Sequence, residues 1–414
     1  MADSGLTPRV VVTGMGVVTP IGQTVADFWN GLKQGRSGIG PIEGVELYNL
    51  KVRIAGQIRD FDHGARLRHW QRDKTILFSD RFSWLAAAAA DEAIKQSSLE
   101  VPFKRARRVA CVIGSGAGGQ ITGETASRNV FILDKRAVHP MTLPRIVGSS
   151  ATAHIGIEYG AKGPTFATCS AGASAAHAIG IGRDYIRHGL VDVAIVGGSD
   201  SMITYGGMLA CQSLRLLSPQ GCFPFSRMRN GTVLAEGAGV LVLESERHAT
   251  ERGAKMLAEL RGLGLTSNST DMVHPDIEAT SEAMRRALDD AKLEPTSIDY
   301  LNANGTATIL NDLNETQAIK NVFGKHAANM GVSSTKSMYG NPMGASGGIE
   351  AVACLKAMEA GWMPPTIGLD ERDPQCDLDY VPNVGRDKKL TYTMSNSFGL
   401  GGLNAALVLG PPPA

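Results

Sequence analysis

ThrPheAlaThrCysSerAlaGlyAlaSerAla, residues 165–175, is the stretch whose reading decides the fold. A short run, 165–168, stops at a cysteine, and a run of small residues follows. The pattern predicts a strand, a turn at Cys169 and a helix over 171–189. A thiol at a strand-to-helix turn sits at the positive end of a helix, which favours the nucleophilic thiolate. Two flanking segments carry asparagines, Asn304 in AsnAlaAsnGlyThrAlaThr (302–308) and Asn341 after LysSerMetTyrGly (336–340).

Outward from this turn, apolar strand-like runs alternate with helical ones. Strands are expected at 8–14, 109–114, 192–198 and 238–244, with an Ala-rich helix at 81–95. The second half repeats the order: helices at 280–293, 311–323 and 347–360, and strands at 298–303, 390–396 and 404–410. Continuous apolar strands between helices mean sheets covered on both faces, an α/β fold. Two similar halves suggest an internal duplication, with a boundary near 252–255. The expected units are therefore 1–252, carrying Cys169, and 253–414, carrying Asn304 and Asn341. Gly clusters at 115–119, 197–199, 236–239, 344–348 and 399–402 are either tight turns or the lining of one pocket.

The 414 residues are 43% hydrophobic and 20% charged, with a formal net charge of +1. A large core is available, and no global affinity for polyanions is implied. The six cysteines, at 111, 169, 211, 222, 354 and 376, form no CxxC pair. A disulfide framework and a metal site are not expected. No apolar stretch is long enough to span a membrane, and the first residues lack a signal-peptide core, so a cytoplasmic location is expected.

Beyond the Cys169 turn, four ordered motifs carry a family resemblance: ValValThrGlyMetGlyValValThrProIleGly (11–22), AlaGluGlyAlaGlyValLeuValLeuGlu (235–244), SerSerThrLysSerMet (333–338) and SerAsnSerPheGlyLeuGlyGlyLeuAsnAla (395–405). Together with AsnAlaAsnGlyThrAlaThr (302–308), they make the chain resemble the elongating β-ketoacyl-acyl-carrier-protein synthases of the thiolase-fold superfamily, from about residue 8 to residue 411. The segment 373–383 looks like nodulation-type and other bacterial members. The resemblance implies a duplicated thiolase fold in five α-β-α-β-α layers, and a homodimer, with a heterodimer as the alternative. It implies no tightly bound cofactor and no metal. Acyl and malonyl groups arrive as thioesters on the phosphopantetheine arm of an acyl carrier protein.

By the same resemblance, Cys169 matches the acyl-accepting nucleophile; an inert core thiol is the alternative. Asn304 and Asn341 stand where the family carries its two histidines. Lys336 and Glu350 match a pair behind the second histidine, or form a structural ion pair. Thr306 and Thr308 match threonines that bond the pantetheine arm, or serve as turn residues. Phe398 matches the gating phenylalanine, and the amides of its neighbour Gly399 and of Cys169 match the oxyanion hole. Leu400, Ser226, Ala235, Leu403 and the pair Pro342–Met343 depart from the usual pattern. Arg66, Arg68, Arg72, Lys74 and Arg81 fall where related enzymes meet the acidic carrier, or form a solvated charged face.

An asparagine donates and accepts hydrogen bonds but does not titrate near neutrality. It can imitate a histidine that stabilises enolate charge, but cannot take a proton, and general acid–base help is worth roughly 10²–10⁴-fold. His177, two turns along the Cys169 helix, is expected to face the core. Three functions follow: a condensing enzyme that loads Cys169 and condenses with malonyl carrier protein through a Cys-Asn-Asn site; a non-elongating acyltransferase, or equally a His→Asn variant that loads without condensing; and a non-catalytic heterodimer subunit. Natural divergence and deliberate replacement of both histidines give the same sequence.

Overall fold

Ten strands hydrogen-bond into one mixed sheet in the computed structural model, which describes residues 8–413. The segment 1–7, on which part of the leader expectation falls, lies outside the described residues. In chain order the strands are β1 (Val10–Val18), β2 (Val109–Gly114), β3 (Thr165–Thr168), β4 (Val193–Ser201), β5 (Glu236–Ser245), β6 (Ala258–Ser267), β7 (Tyr300–Asn302), β8 (Gly331–Ser333), β9 (Thr393–Gly399) and β10 (Leu403–Gly410). Their order across the sheet is β8-β7-β9-β10-β6-β1-β5-β4-β2-β3.

That order contains the same five-strand pattern twice. In β1–β5 the second strand pairs in parallel with the third and fourth, and the fourth, fifth and first run antiparallel. The strands β6–β10 repeat each relation. The halves join where β1 meets β6 through only two residue pairs, Val11 with Glu259 and Val12 with Ala258.

The helices around the sheet include α1 (Arg81–Ser97), α2 (Gln120–Phe131), α3 (Ser150–Tyr159), α4 (Ser174–Arg187), α5 (Ile277–Ala291), α6 (Ile309–Phe323) and α7 (Ser346–Ala360), of which α2 packs chiefly on the short helix Thr142–Ile146. Helices α4 and α7 pack on each other and on strands of both halves, forming the central layer. Helices α1 and α3 lie on the outer face of the first half, and α5, backed by α6, on that of the second. Three apolar clusters fill the spaces between layers. Val196, Leu241, Ile179 and Ile349 belong to the central one. Leu85, Ala89 and Val240 lie under α1, and Met284, Ile319 and Val408 under α5. The expected thiolase-type layering is therefore present.

Local sequence sets the ends of these elements. Asp80 caps α1 by accepting from the Phe82 N–H, and Ser98 ends it in a left-handed conformation at φ 55°. Asp276 caps α5 through the Ala279 N–H, and Lys292 ends it at φ 54°. Among the described residues, no helix is long and apolar enough to cross a membrane.

Candidate functional site

In each half the second, third and fourth strands end on the same side of the sheet, where α/β folds place ligands. The first half contributes the turns after β2 and β3. The second contributes those after β7, β8 and β9.

Cys169 follows the last residue of β3, and a single 3₁₀ turn, Ala171–Ala173, separates it from α4. The expected strand-turn-helix is present, but α4 proper begins at Ser174 rather than 171. Ala171 occupies the left-handed region at φ 48°, a strained conformation for a residue with a Cβ. The turn is pinned by the Ser170 N–H donating to Ser174 Oγ at 2.9 Å, and by Ser174 Oγ donating to the Ala171 carbonyl at 2.7 Å. Cys169 is the one exposed cysteine of the six. Its thiol faces the Gly116 carbonyl at 3.8 Å, and its own N–H has no partner among the described residues.

Gly116 is held by a carboxylate that the sequence reading missed. Asp200, in β4, is fully buried and accepts from Ser115 Oγ at 2.6 Å, from the Gly116 N–H at 2.9 Å and from the Gly344 N–H at 2.6 Å. It thereby ties the Cys169 side of the site to the segment after Asn341. Burial pushes its carboxyl up to about 6 against these hydrogen bonds. The signal was present in the sequence: an Asp at the end of an otherwise apolar and small run, 193–200.

Asn304 is buried, and its backbone N–H and that of Gly305 both donate to Glu315, at 2.8 Å each. Glu315 also accepts from Asn396 Nδ2 at 3.1 Å. The Asn304 side-chain amide donates from Nδ2 to Asn311 Oδ1 at 2.8 Å. Asn341 is also buried, and its Oδ1 accepts from the Met343 N–H at 3.1 Å and from Ser346 Oγ at 3.3 Å.

Both asparagines line a cavity of about 430 Å³, together with Thr306, Thr308, Phe398 and Gly399. The Thr306 and Thr308 hydroxyls are 2.9 Å apart. Cys169 itself is not part of the wall, but Gly172 of its turn is. The fit there is tight. A Cβ on Gly399 would come within 2.8 Å of the Ser170 carbonyl oxygen, and one on Gly172 within 3.0 Å of the Phe398 carbonyl oxygen. A side chain at Gly399 would force the backbone apart, and one at Gly172 would press on it.

Behind the cavity, Lys336 Nζ and Glu350 Oε1 form a fully buried ion pair. Glu350 Oε2 has no partner among the described residues, and burial raises its carboxyl.

His177 departs from expectation. It is half-buried rather than wholly in the core, with Nδ1 2.5 Å from the hydroxyl Oγ of buried Ser170, the residue after the nucleophile candidate. Burial lowers its pKa, holding the ring neutral. Arg81 also departs from the basic-face reading: it is spent on Glu236 at 2.6 Å and on the Ile58 carbonyl. Arg68, Arg72 and Lys74 remain exposed, while Arg66 is half-buried. A second cluster has the order of a hydrolytic triad, with His154 Nε2 3.0 Å from Ser79 Oγ and Nδ1 2.5 Å from Asp73. All three residues are buried, so no substrate reaches that serine.

The family described as Beta-ketoacyl synthase, N-terminal domain, matches residues 7–249, and its C-terminal domain matches residues 257–370. The chain is 44% identical to Nodulation protein E of Rhizobium leguminosarum bv. trifolii, over 96% of this chain and 98% of that one. It is 40% identical to 3-oxoacyl-[acyl-carrier-protein] synthase 2 of Staphylococcus aureus (strain COL), over 97% of each. A solved structure titled the ishigamide ketosynthase/chain length factor superposes with a TM-score of 0.94 at 32% identity, covering 99% of this chain and 100% of that one. With matches that run almost end to end in sequence and in structure, the chain belongs to the β-ketoacyl synthase family.

Proposed function

We propose that this chain takes an acyl group from an acyl carrier protein onto Cys169, and that thioester exchange is the step its site serves best. Condensation with malonyl carrier protein is the slower step open to the same site. The observation that carries this reading is the exposed Cys169 thiol on a pinned turn, beside a cavity in which asparagines stand at 304 and 341.

In the loading step the Cys169 sulfur attacks the acyl thioester carbon. The carbon–sulfur bond to the pantetheine arm then breaks, and the cysteine proton leaves with the pantetheine thiol. The unpaired Cys169 N–H suits the oxyanion of the tetrahedral intermediate. The Thr306 and Thr308 hydroxyls suit the arm. Exposed Arg68, Arg72 and Lys74 suit an acidic carrier, chiefly by speeding encounter. No step here needs Asn304 or Asn341 to move a proton. Malonyl decarboxylation and carbanion attack lean on those positions, and without a titrating group there they lose roughly 10²–10⁴-fold.

A pairing partner is part of this reading. Strand β3 ends the sheet with one edge open, and α2 and the segment after it expose Phe131, Ile132, Leu133 and Leu143. A second copy or a related ketosynthase-type subunit fits this face. The similarity to a structure titled as a ketosynthase with a chain length factor favours keeping the hetero-pairing open.

Intact-mass measurement after incubation with acyl carrier protein and malonyl carrier protein tests the reading. The expected result is an acyl adduct that Cys169→Ala abolishes, with little CO₂ release. No adduct on the parent chain overturns it, and rapid chain growth overturns the preference for exchange. Asn304→His/Asn341→His is expected to raise condensation by about 10²-fold or more.

A further inference from the structure

Asn304 and Asn341 line the same cavity, and their surroundings orient their amides in opposite senses. The orientation at 341 is local. Its Oδ1 receives the Met343 N–H and the Ser346 hydroxyl, while Nδ2 makes no hydrogen bond among the described residues and is not a sealed atom. Position 341 therefore offers the cavity a donor.

The orientation at 304 is imposed from a distance. Asp312, fully buried, accepts from Asn311 Nδ2 at 3.0 Å. A carboxylate only accepts, so it fixes which end of the Asn311 amide faces it. Asn311 Oδ1 is then turned to Asn304, and Asn304 answers with Nδ2 at 2.8 Å. Asn304 Oδ1 has no donor among the described residues and is not sealed either. Reversing the Asn304 amide would set two oxygens against each other.

We infer that Asn311, anchored by Asp312, is a positioning residue that makes Asn304 present its carbonyl oxygen to the cavity, so that the site selects against a malonyl thioester. This rests on the reading that the cavity holds a carrier-borne thioester. A malonyl thioester carbonyl needs donors as enolate charge develops on its oxygen. It finds one at 341 and an acceptor at 304, and the malonyl carboxylate meets that acceptor as well. A simple acyl group bound for Cys169 makes no such demand. Amide N–H groups, such as those of the pantetheine arm, match the acceptor.

The test separates the two chemistries. Malonyl carrier protein decarboxylation is measured on the unacylated protein, and Cys169 acylation is measured separately by intact mass. Asn311→Ala frees the Asn304 amide to rotate and is expected to raise decarboxylation about tenfold, with acylation changed less than about twofold. Asn311→Ser, whose hydroxyl donates as well as accepts, is expected to do the same if the alanine variant does not fold. Decarboxylation that stays flat or falls in the folded alanine or serine variant overturns the inference. A parent chain that never acylates Cys169 overturns the loading reading instead, and leaves the decarboxylation comparison intact.

Discussion

At the scale of single residues, the Lys336–Glu350 pair shows what burial costs. Both side chains are fully buried, each has the other as its one hydrogen-bonding partner among the described residues, and Glu350 Oε2 has none. Removing one charge strands the other in a dry interior, at a cost of about 3–5 kcal/mol, whereas removing both is often near neutral. Lys336→Met is therefore expected to lower stability in urea by that amount, and Lys336→Met/Glu350→Met to recover most of it. A silent Lys336→Met would contradict a buried, charged pair. Legibility at this scale follows the kind of signal involved. Cys169 was readable because a thiol between a strand-like run and a small-residue run is a local pattern. The Asn304–Asn311–Asp312 chain was not, because the direction of an amide depends on which atom its neighbour turns toward it. The contact of His177 was not readable to the atom, because residues seven apart share a helix face but the hydroxyl its ring meets depends on the turn before α4.

At the scale of elements, a packing device appears once in each half. On β1, Gly14 and Gly16 lie under α1, and an added Cβ at either would stand 2.0 Å from a carbonyl oxygen, that of Ala93 or Ala89. On β6, Gly262 and Gly264 lie under α5 in the same relation to Ala287 and Ala283, at 2.2 and 1.9 Å. Glycine every second residue puts a smooth strip on one strand face, and alanines on the helix let the backbones close on it. A methyl there has no soft neighbour to displace. Gly16→Ala and Gly264→Ala are each expected to destabilise by about 1–3 kcal/mol or more, seen as lower urea midpoints. Gly148→Ala, where the Cβ meets nothing within 4 Å, is expected to stay near the parent. Equal midpoints in all three variants would remove the packing argument. The same device explains what was hard to read. Strand β6 carries glycines, a glutamate and an arginine in AlaGluLeuArgGlyLeuGlyLeuThrSer, so it lacks the continuous apolar run that marked β2, β4 and β5. Strand β8 has only three residues, too few for any period to show. The long apolar strands and the Ala-rich α1 were plain because their burial is continuous.

At the scale of the whole molecule, the carboxyls that build the site also set how stability answers to pH. Asp200 and Asp312 are pushed up to about 6 and Glu315 to about 7, in each case chiefly by burial. The three N–H donors around Glu315 favour its ionised form, but loss of water outweighs them. A carboxyl whose folded pKa is raised binds its proton more tightly in the folded chain than in the unfolded one. Its contribution is complete below the ordinary carboxyl range and is lost as pH climbs through 6 to 7, at up to about 1.4 kcal/mol per pH unit while it titrates. His177 acts in the opposite sense. Burial lowers its pKa, so its share grows as pH rises toward the ordinary histidine value. Asp73, Asp91, Asp192 and Glu244 are held below their ordinary values by partners such as His154, Lys95, Arg108 and Arg252. Their contribution is present above the ordinary carboxyl range and falls away only in more acidic solution, outside this window. Burial raises Asp80, Glu92 and Glu350 in the same direction, and these carboxyls together outweigh one lowered histidine, so the net slope is negative: urea midpoints are expected to fall between pH 5 and pH 7.5. Glu315→Gln removes one titrating group, so its midpoint is expected to fall less over the same interval, whatever its starting stability. A parent midpoint that rises or stays level across that interval would mean that these carboxyls are ionised at ordinary pH, with their N–H donors outweighing burial after all.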